Sequence, residues 1–436
     1  MTTIQGSVLC PPRQHRLATA VTLFFVTFFV LFPKGGITLA ALPLTWSYIG
    51  MALSAVPLIL WRMLSLRLAL PKGGLWALAF LLPVQVLFVY SAIVNGLGDL
   101  GYVAATTINL FFLPAMFLLI YGPLLRSVDG GLLGRYLREC VFWTVIWGIL
   151  LFILHPLTGH FLEIKYLTVN GNDYGRLEAT KHIARGAFFK LISTYNNGNI
   201  YGVCMLMLTP LYNRLEPRLW RRNLLRLALV LTLSRSVWIG FVFEQLLSVL
   251  AVLAGEMQRF PKLSLGKGLR SMLAMLAAAA FAMAGLMLMS ENLSFLFDPT
   301  GGGRIQKLDL STGLTWLPSI PVGGFSEIVY KSAADLIGYT GFIAFILFMM
   351  SPLLYLLIDG RVVQSPMRRA ALKGLIVYSV MAAMDGAFSY PPTMVFYWFL
   401  WTVVAYGWPE VHGGQFKDAS SSPTYLVAQR RIHAAL

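Results

Sequence analysis

Residues 332–358 read SAADLIGYTGFIAFILFMMSPLLYLLI, and residues 361–373, shortly after them, read RVVQSPMRRAALK. The first stretch is long and apolar enough to cross a bilayer core about 30 Å thick, which takes about 20 helical residues. The second stretch carries four basic residues, as cytoplasmic connections between membrane spans commonly do. This pairing of an apolar run with a short basic run recurs along the chain and predicts an all-α polytopic membrane protein.

The composition agrees with that prediction. The chain has 436 residues, of which 57% are hydrophobic and 12% are charged, and its mean hydropathy is +0.71. Soluble domains are about 25% charged. The formal charge of +16 is divided into small clusters between apolar runs, which argues against nucleic-acid binding and fits the positive-inside bias. The three cysteines form no CxxC pair, so nothing indicates a disulfide or zinc framework.

We predict about twelve transmembrane helices in one integral membrane domain, residues 1–436. Their approximate ranges are 17–33, 37–61, 74–95, 101–125, 136–155, 197–213, 219–234, 236–255, 270–290, 332–358, 371–389 and 392–408. The connections alternate in charge, and 24 of the 34 Lys and Arg residues fall on one side. This bias places both termini, including a tail from about 409 to 436, in the cytoplasm of a bacterial inner membrane.

Two connections on the opposite, periplasmic side are long, at about 156–196 and about 291–331. Long connections without their own secondary structure are usually functional. Both combine glycine and charged residues, as in GNDYGR at 171–176 and TGGGR at 300–304. We therefore expect the working surface of the protein on the periplasmic face.

Arginines on this face are candidates for binding phosphate, because a guanidinium donates two parallel hydrogen bonds to phosphate oxygens and stays charged. Arg235 stands between two apolar runs with almost no loop, so we expect it at the membrane surface, facing lipid headgroups or a cavity. Arg304 follows three glycines that would allow close approach of an anion, or would simply form a flexible loop. Arg176 and Arg185 are further candidates, with solvated surface charge as the alternative.

Two of the acids inside predicted spans are singled out as candidates. Glu244 lies near the middle of the eighth span, where an acid is by default a functional hypothesis. Asp385 lies near the outer end of the eleventh span, where it would cap a helix or line a cavity. The sequence identifies no partner for either carboxylate.

Four stretches resemble the superfamily of Wzy-type polysaccharide polymerases and O-antigen ligases. STYNNGNIYG at 193–202 is similar to the family pattern Thr-aromatic-x-Asn-Pro-Asn-x-x-Gly, with Gly198 in place of the proline. LSRS at 233–236 and GR at 303–304 resemble the family's outer arginine motifs. GYTG at 338–341 matches the glycines that follow a loop histidine in family ligases, and Glu327 stands where that histidine would be.

The resemblance implies a GT-C-like fold and glycan transfer from an undecaprenyl-pyrophosphate-linked donor, without metal or cofactor. It assigns Arg235 and Arg304 to the pyrophosphate. Because Glu327 replaces the ligase histidine, the resemblance favours a polymerase, in which Glu327 would accept the proton of the acceptor hydroxyl. A solvated loop acid is the alternative for Glu327, and His182 is a rival base.

We also expect substrate-binding residues and partners on the outer face. The candidate substrate-binding residues are Arg176, His182, Arg185, Asn199, Tyr330 and Lys331. The expected partners are the lipid-linked oligosaccharide donor and acceptor, the bilayer, a chain-length regulator and export proteins. Three alternatives stay open: an O-antigen ligase, a transporter of lipid-linked oligosaccharides, and a structural subunit of an export complex.

Overall fold

The computed structural model describes most of the chain. The described residues are 12–39, 42–64, 70–177, 183–185, 188–259, 315–359 and 365–410. Within them the chain is mostly helical and contains only two small β-hairpins. The predicted ninth span, at 270–290, and the cytoplasmic tail after residue 410 lie outside these ranges.

The described ranges contain eleven helices and four short strands. In the described ranges they are α1 (Pro12–Val26, continued by a π-helical turn Thr27–Leu31), α2 (Trp46–Leu64), α3 (Lys72–Asn95), α4 (Leu100–Leu125, with two π-helical stretches), α5 (Gly130–Thr158), α6 (Gly198–Leu215), α7 (Leu219–Leu231), α8 (Arg235–Arg259), α9 (Val329–Ile358), α10 (Pro366–Asp385) and α11 (Pro391–Tyr406). The strands are β1 (Gly36–Leu39), β2 (Leu42–Thr45), β3 (Ala184–Arg185) and β4 (Phe188–Phe189).

Four of the described helices, α3, α4, α5 and α9, are long and apolar enough to cross a membrane. Three shorter apolar helices lie within α1 and its π-helical turn, α2 and α11. The predicted second span was wrong at its start, because β1 and β2 pair as an antiparallel hairpin from Gly36↔Thr45 to Leu39↔Leu42. The Asn170 side chain, from a distant part of the chain, donates to the Ile37 carbonyl at 2.9 Å and holds this hairpin.

Helix α6 lies at the centre of the bundle, and almost every one of its residues is buried. Small residues let its neighbours approach closely, as is common between membrane helices. A Cβ atom on Gly374 of α10 would lie 2.2 Å from the Met207 carbonyl oxygen of α6. A Cβ atom on Gly202 of α6 would lie 2.3 Å from Val237 of α8. Helices α6, α8 and α10 therefore form one tightly packed unit.

Six connections meet at one end of this bundle, which we call the outer end. They are residues 32–35 with the β1–β2 hairpin, 96–99, the described parts of 159–197, 232–234, 315–328 and 386–390. Backbone bonds join them, as in Leu191 N–H to the Leu231 carbonyl (3.0 Å), Gly98 N–H to Val322 (2.8 Å) and Gly386 N–H to Glu327 (3.0 Å). These are the connections that the charge pattern assigns to a common side of the membrane.

The opposite, inner end is built by the basic connections. There Arg126 donates to the Tyr406 carbonyl at 3.1 Å, and the Gly130 N–H donates to Glu410 at 2.9 Å. A network of Arg138, Glu139, Glu216 and Arg221 joins α5 to the α6–α7 connection. The two ends of the bundle thus differ in their charge.

Candidate functional site

A stretch of irregular backbone enters the bundle from the outer end. Every residue from Lys190 to Asn196 is buried, and the Ser193 hydroxyl donates at 2.6 Å to the carbonyl of Thr144, in the middle of α5. Ser193 and Asn196 adopt φ angles of 49° and 56°, which are uncommon outside glycine. Irregular backbone at membrane depth is tolerated only where protein or a water-filled cavity satisfies its polar groups. Residues 190–196, which we call the entry segment, are therefore held in place by the surrounding helices.

The connection between α7 and α8 is also buried. Helix α7 has 13 residues, a rise of about 20 Å at 1.5 Å per residue, which is about 10 Å less than a bilayer core. The turn at Thr232, Leu233 and Ser234 is buried, and Leu233 has a φ of 48°. Arg235, the first residue of α8, is partly buried. Its helix therefore starts directly after a buried turn and not after an exposed loop.

A chain of polar contacts connects the entry segment to α6 and α10. The Lys190 ammonium donates to Oδ1 of Asn199 at 2.9 Å, and Nδ2 of Asn199 donates to Oδ2 of Asp385 at 2.6 Å. Lys190 is 6% exposed and Asp385 is 3% exposed. Asn197 caps α6, because its Oδ1 accepts from the backbone N–H of Asn199 at 2.8 Å. One amide thus lies between a buried cation and a buried anion.

A second acid, Glu327, lies in a segment that is hydrogen-bonded to the residue after Asp385. The Gly386 N–H donates to the Glu327 carbonyl, so the segment before α9 lies against the end of α10. Burial raises the pKa of Tyr390, and the charges of Glu327 and Asp385 raise this pKa further. The Lys34 ammonium lies 5.5 Å from the centre of the Tyr390 ring. Cations and carboxylates from three connections and from the end of α10 therefore lie near Tyr390 or Asn199.

The sequence-predicted residues Asn199, Arg235 and Glu327 all lie at this end of the bundle. Asn199 belongs to the polar chain, and the side chain of Glu327 is exposed. Arg235 lies two residues before Val237, which packs against Gly202 in the second turn of α6. Residues more than a hundred positions apart in sequence are brought to one region.

Other predicted residues have different surroundings. The Tyr330 hydroxyl donates to the Ser379 carbonyl at 2.8 Å, and Lys331 forms an ion pair with Asp335 at 2.6 Å along α9. Arg176 is exposed in the long loop, and the backbone of Arg185 pairs with Phe188. His182 and Arg304 lie outside the described residues.

Three residues of the site were missed as substrate-binding or catalytic candidates: Lys34, Lys190 and Asp385. In the sequence, Lys190 is one of five basic residues in the long connection at about 156–196. The signal that could have identified it is its position nine residues before Asn199, at the start of the apolar entry segment. Among the described residues, no cluster of three or more His, Cys, Asp or Glu side chains is placed to hold a metal ion.

An apolar cavity lies beside the entry segment, between α1, α4, α5 and α11. Its lining includes Phe25, Val30, Tyr121 and Phe396. The Val30 carbonyl accepts from the hydroxyl of Tyr195, in the entry segment, at 3.1 Å. The entry segment therefore contacts the lining of the apolar cavity at Val30.

Comparison of the sequence with protein-family models and with curated proteins finds no match. The resemblance to polysaccharide polymerases and ligases thus depends on the four motif stretches alone. The functional argument that follows is made from the geometry of the outer end.

Proposed function

We propose that the chain is a bacterial inner-membrane glycosyltransferase that polymerises undecaprenyl-pyrophosphate-linked oligosaccharide repeat units at the periplasmic face. The observation that carries the proposal is the convergence of Asn199, Arg235 and Glu327 at one end of the bundle. These residues come from three separate motif regions, and they lie with a buried cation and a buried acid. Solvated charges scattered over a surface would not require the irregular backbone of residues 190–196 inside the bundle.

The chemistry of such a transfer fits these residue types. The hydroxyl of the acceptor sugar attacks the anomeric carbon of the donor, and the bond from that carbon to the phosphate oxygen breaks. The lipid pyrophosphate leaves with the electron pair. Fixed guanidinium groups stabilise this developing negative charge, which is the role we assign to Arg235 and, outside the described residues, to Arg304.

The hydroxyl proton needs an acceptor. We assign this role to Glu327, whose carboxylate is exposed and raises the pKa of Tyr390, as Asp385 also does. A carboxylate positioned for this step contributes about 10²- to 10⁴-fold to the rate. The apolar cavity next to the entry segment offers surface for the isoprenoid chain of the lipid substrate, because its lining is almost entirely hydrocarbon.

The test uses purified protein in liposomes that contain the lipid-linked repeat unit of the source strain. We expect a ladder of products that differ by one repeat unit, resolved by gel electrophoresis and mass spectrometry. A single transfer to lipid A core without a ladder would identify a ligase instead. The absence of any chain growth by the wild-type protein would refute the proposal.

Variants separate the roles. We expect Arg235→Ala to abolish chain growth while the protein stays folded and inserted, and Arg235→Lys to retain a fraction of the activity. Arg218→Ala is the matched control, because Arg218 is an exposed arginine at the inner end and its loss leaves the ladder unchanged. Glu327→Gln should slow chain growth at least 100-fold, as general-base catalysis predicts. Wild-type rates from this variant would remove Glu327 from the role of base.

A further inference from the structure

We infer that Tyr330, Ser332 and Gly338 are positioning residues, which together hold Glu327 against the end of α10. This inference rests on the proposed function for the role of Glu327 as the base. It gives Tyr330 a role other than the substrate contact expected from the sequence, because its hydroxyl donates to a backbone carbonyl inside the bundle.

Helix α9 is broken near its outer end, and Gly338 makes the break possible. Gly338 has φ and ψ angles of 69° and −178°, and Ile337 before it is also outside the helical region, so an outer segment at 329–336 is separated from the long inner part of α9. Residues with a Cβ atom rarely adopt the angles of Gly338. A Cβ atom there would also lie 2.8 Å from the Trp316 carbonyl oxygen and 2.9 Å from that of Thr315. Both the conformation and the space at the break therefore require glycine.

The break is held by residues 315–318, which we call the strap. The N–H and the hydroxyl of Thr340 both donate to the Trp316 carbonyl, at 3.2 Å and 2.8 Å. The strap is held in turn by α3, because Nδ2 of Asn95 donates to the Pro318 carbonyl at 3.0 Å. A break in a membrane helix is tolerated where protein groups satisfy the freed backbone. The strap and α3 therefore fix the direction of the outer segment.

The outer segment is also attached to α10. The Tyr330 hydroxyl donates to the Ser379 carbonyl of α10 at 2.8 Å. A Cβ atom on Gly386 would lie 2.4 Å from Cγ2 of Val329, so the first turn of α9 packs directly on the residue that follows α10. The part of the chain that carries Glu327 is thus fixed against α10 by a hydrogen bond and by close packing.

Ser332 closes the loop in which Glu327 lies. It is 4% exposed, its hydroxyl accepts from the Ser326 N–H at 2.7 Å, and its own N–H donates to the Ile328 carbonyl at 3.0 Å. With the bond to the Glu327 carbonyl described above, three consecutive residues are held by hydrogen bonds while the Glu327 side chain itself is exposed. A base must lie within hydrogen-bond reach of the proton that it accepts, and a fixed backbone restricts the positions that its carboxylate samples.

The first experiment is a double-mutant cycle on the rate of chain growth in liposomes. Tyr330→Phe keeps the ring and removes its hydrogen bond. We expect kcat to fall about 10- to 100-fold, with KM for the lipid substrate within a few-fold of wild type, because a small misplacement of a reacting group lowers the rate by factors of this size. In the Glu327→Gln background the same change should have little effect, since the base is already absent. Equal losses in both backgrounds would show a purely structural role and overturn the inference.

Tyr355→Phe is the matched control for this cycle. The Tyr355 hydroxyl donates to Oδ2 of Asp359 at 2.6 Å, at the inner end of the same helix. Its loss also removes a tyrosine hydrogen bond from α9, but it leaves the outer segment intact. We therefore expect a wild-type kcat from Tyr355→Phe, and a loss equal to that of Tyr330→Phe would contradict the inference.

The second experiment measures the position of residue 327 without any activity. Spin labels are attached to Glu327→Cys and to Leu157→Cys in a protein that lacks its native cysteines, and the distances between them are measured by double electron–electron resonance in detergent micelles. Leu157 is 77% exposed near the outer end of α5. We expect one narrow distance distribution, which Gly338→Ala makes broad or bimodal and Tyr355→Phe leaves unchanged.

Two milder variants keep this measurement decisive if Gly338→Ala does not fold. Tyr330→Phe and Ser332→Ala each remove one hydrogen bond of the outer segment, and each should broaden the distribution. A broad distribution in the labelled protein without these changes, or a distribution that none of them broadens, would overturn the inference. A narrow distribution that the variants broaden, in a protein that makes no ladder, refutes polymerisation alone.

Discussion

The ion network at the inner end gives a prediction whose size follows from burial. Glu216 is 0% exposed, and its carboxylate lies 3.4 Å from both Arg138 and Arg221. It also accepts from the Arg218 backbone N–H at 2.8 Å. Glu139 contacts the same two arginines, at 3.5 Å and 2.6 Å, but its side chain is 39% exposed. The two glutamates are therefore a matched pair that differs in burial.

Glu216→Gln removes the buried charge and leaves Arg221, whose guanidinium lies 4.0 Å from the centre of the Phe142 ring, with less compensation. Breaking a buried pair costs about 3–5 kcal/mol. Because Glu139 remains near both arginines, we expect the lower end, about 3 kcal/mol. Glu139→Gln removes a solvent-screened partner and should cost about 1 kcal/mol or less.

The assay is reversible unfolding in mixed micelles by titration with a denaturing detergent, followed by circular dichroism. The free energy of unfolding of each variant is compared with that of the wild type. A loss below about 1 kcal/mol for Glu216→Gln, or equal losses for both variants, would refute the argument that burial decides the contribution of these carboxylates.

Two other predictions test the packing and the orientation. Lys373 forms a 2.7 Å ion pair with Glu244, which is 1% exposed, so Lys373→Met alone should cost about 3 kcal/mol and the double change with Glu244→Gln clearly less; additive losses in the same unfolding assay would contradict this. A membrane-impermeant maleimide should label Tyr174→Cys and Trp316→Cys in intact spheroplasts of a strain whose protein lacks its native cysteines, because both positions are exposed at the outer end. Arg218→Cys should react only after permeabilisation, and the reverse pattern would invert the orientation.

The positions of the described helices were predicted well because hydropathy and the distribution of basic residues are both read from short stretches of sequence. Apolar runs such as 74–95 and 332–358 fall on α3 and α9 with only a few residues of difference at each end. The β1–β2 hairpin was missed because its residues are also apolar, and hydropathy does not separate a short strand from the start of a span. A hydrogen bond with a distant residue stabilises the hairpin, since the Asn170 side chain donates to the Ile37 carbonyl at 2.9 Å.

The candidate site was predicted in part. The side of the membrane and the motif stretches led to Asn199, Arg235 and Glu327, which lie at the outer end. The relation between Lys190 and Asp385 is visible only in the structure, where the Asn199 side chain contacts both residues. Asp385 lies 186 positions after Asn199 in the chain. No periodicity or spacing in one sequence encodes such a pairing, because it depends on how α6 and α10 pack.

Two charge clusters in the described part of the bundle, one at each end, differ in how their charges are joined. At the inner end, Arg221 and Glu139 touch directly at 2.6 Å, an arrangement that cancels both charges where they lie. At the outer end, the contact between Lys190 and Asp385 described above runs through the amide of Asn199. An intervening amide fixes the position of the ammonium while weakening its attraction to the carboxylate, since Coulomb energy falls with distance. We therefore assign the inner cluster to stability, and the proposed function places its ligand at the outer cluster.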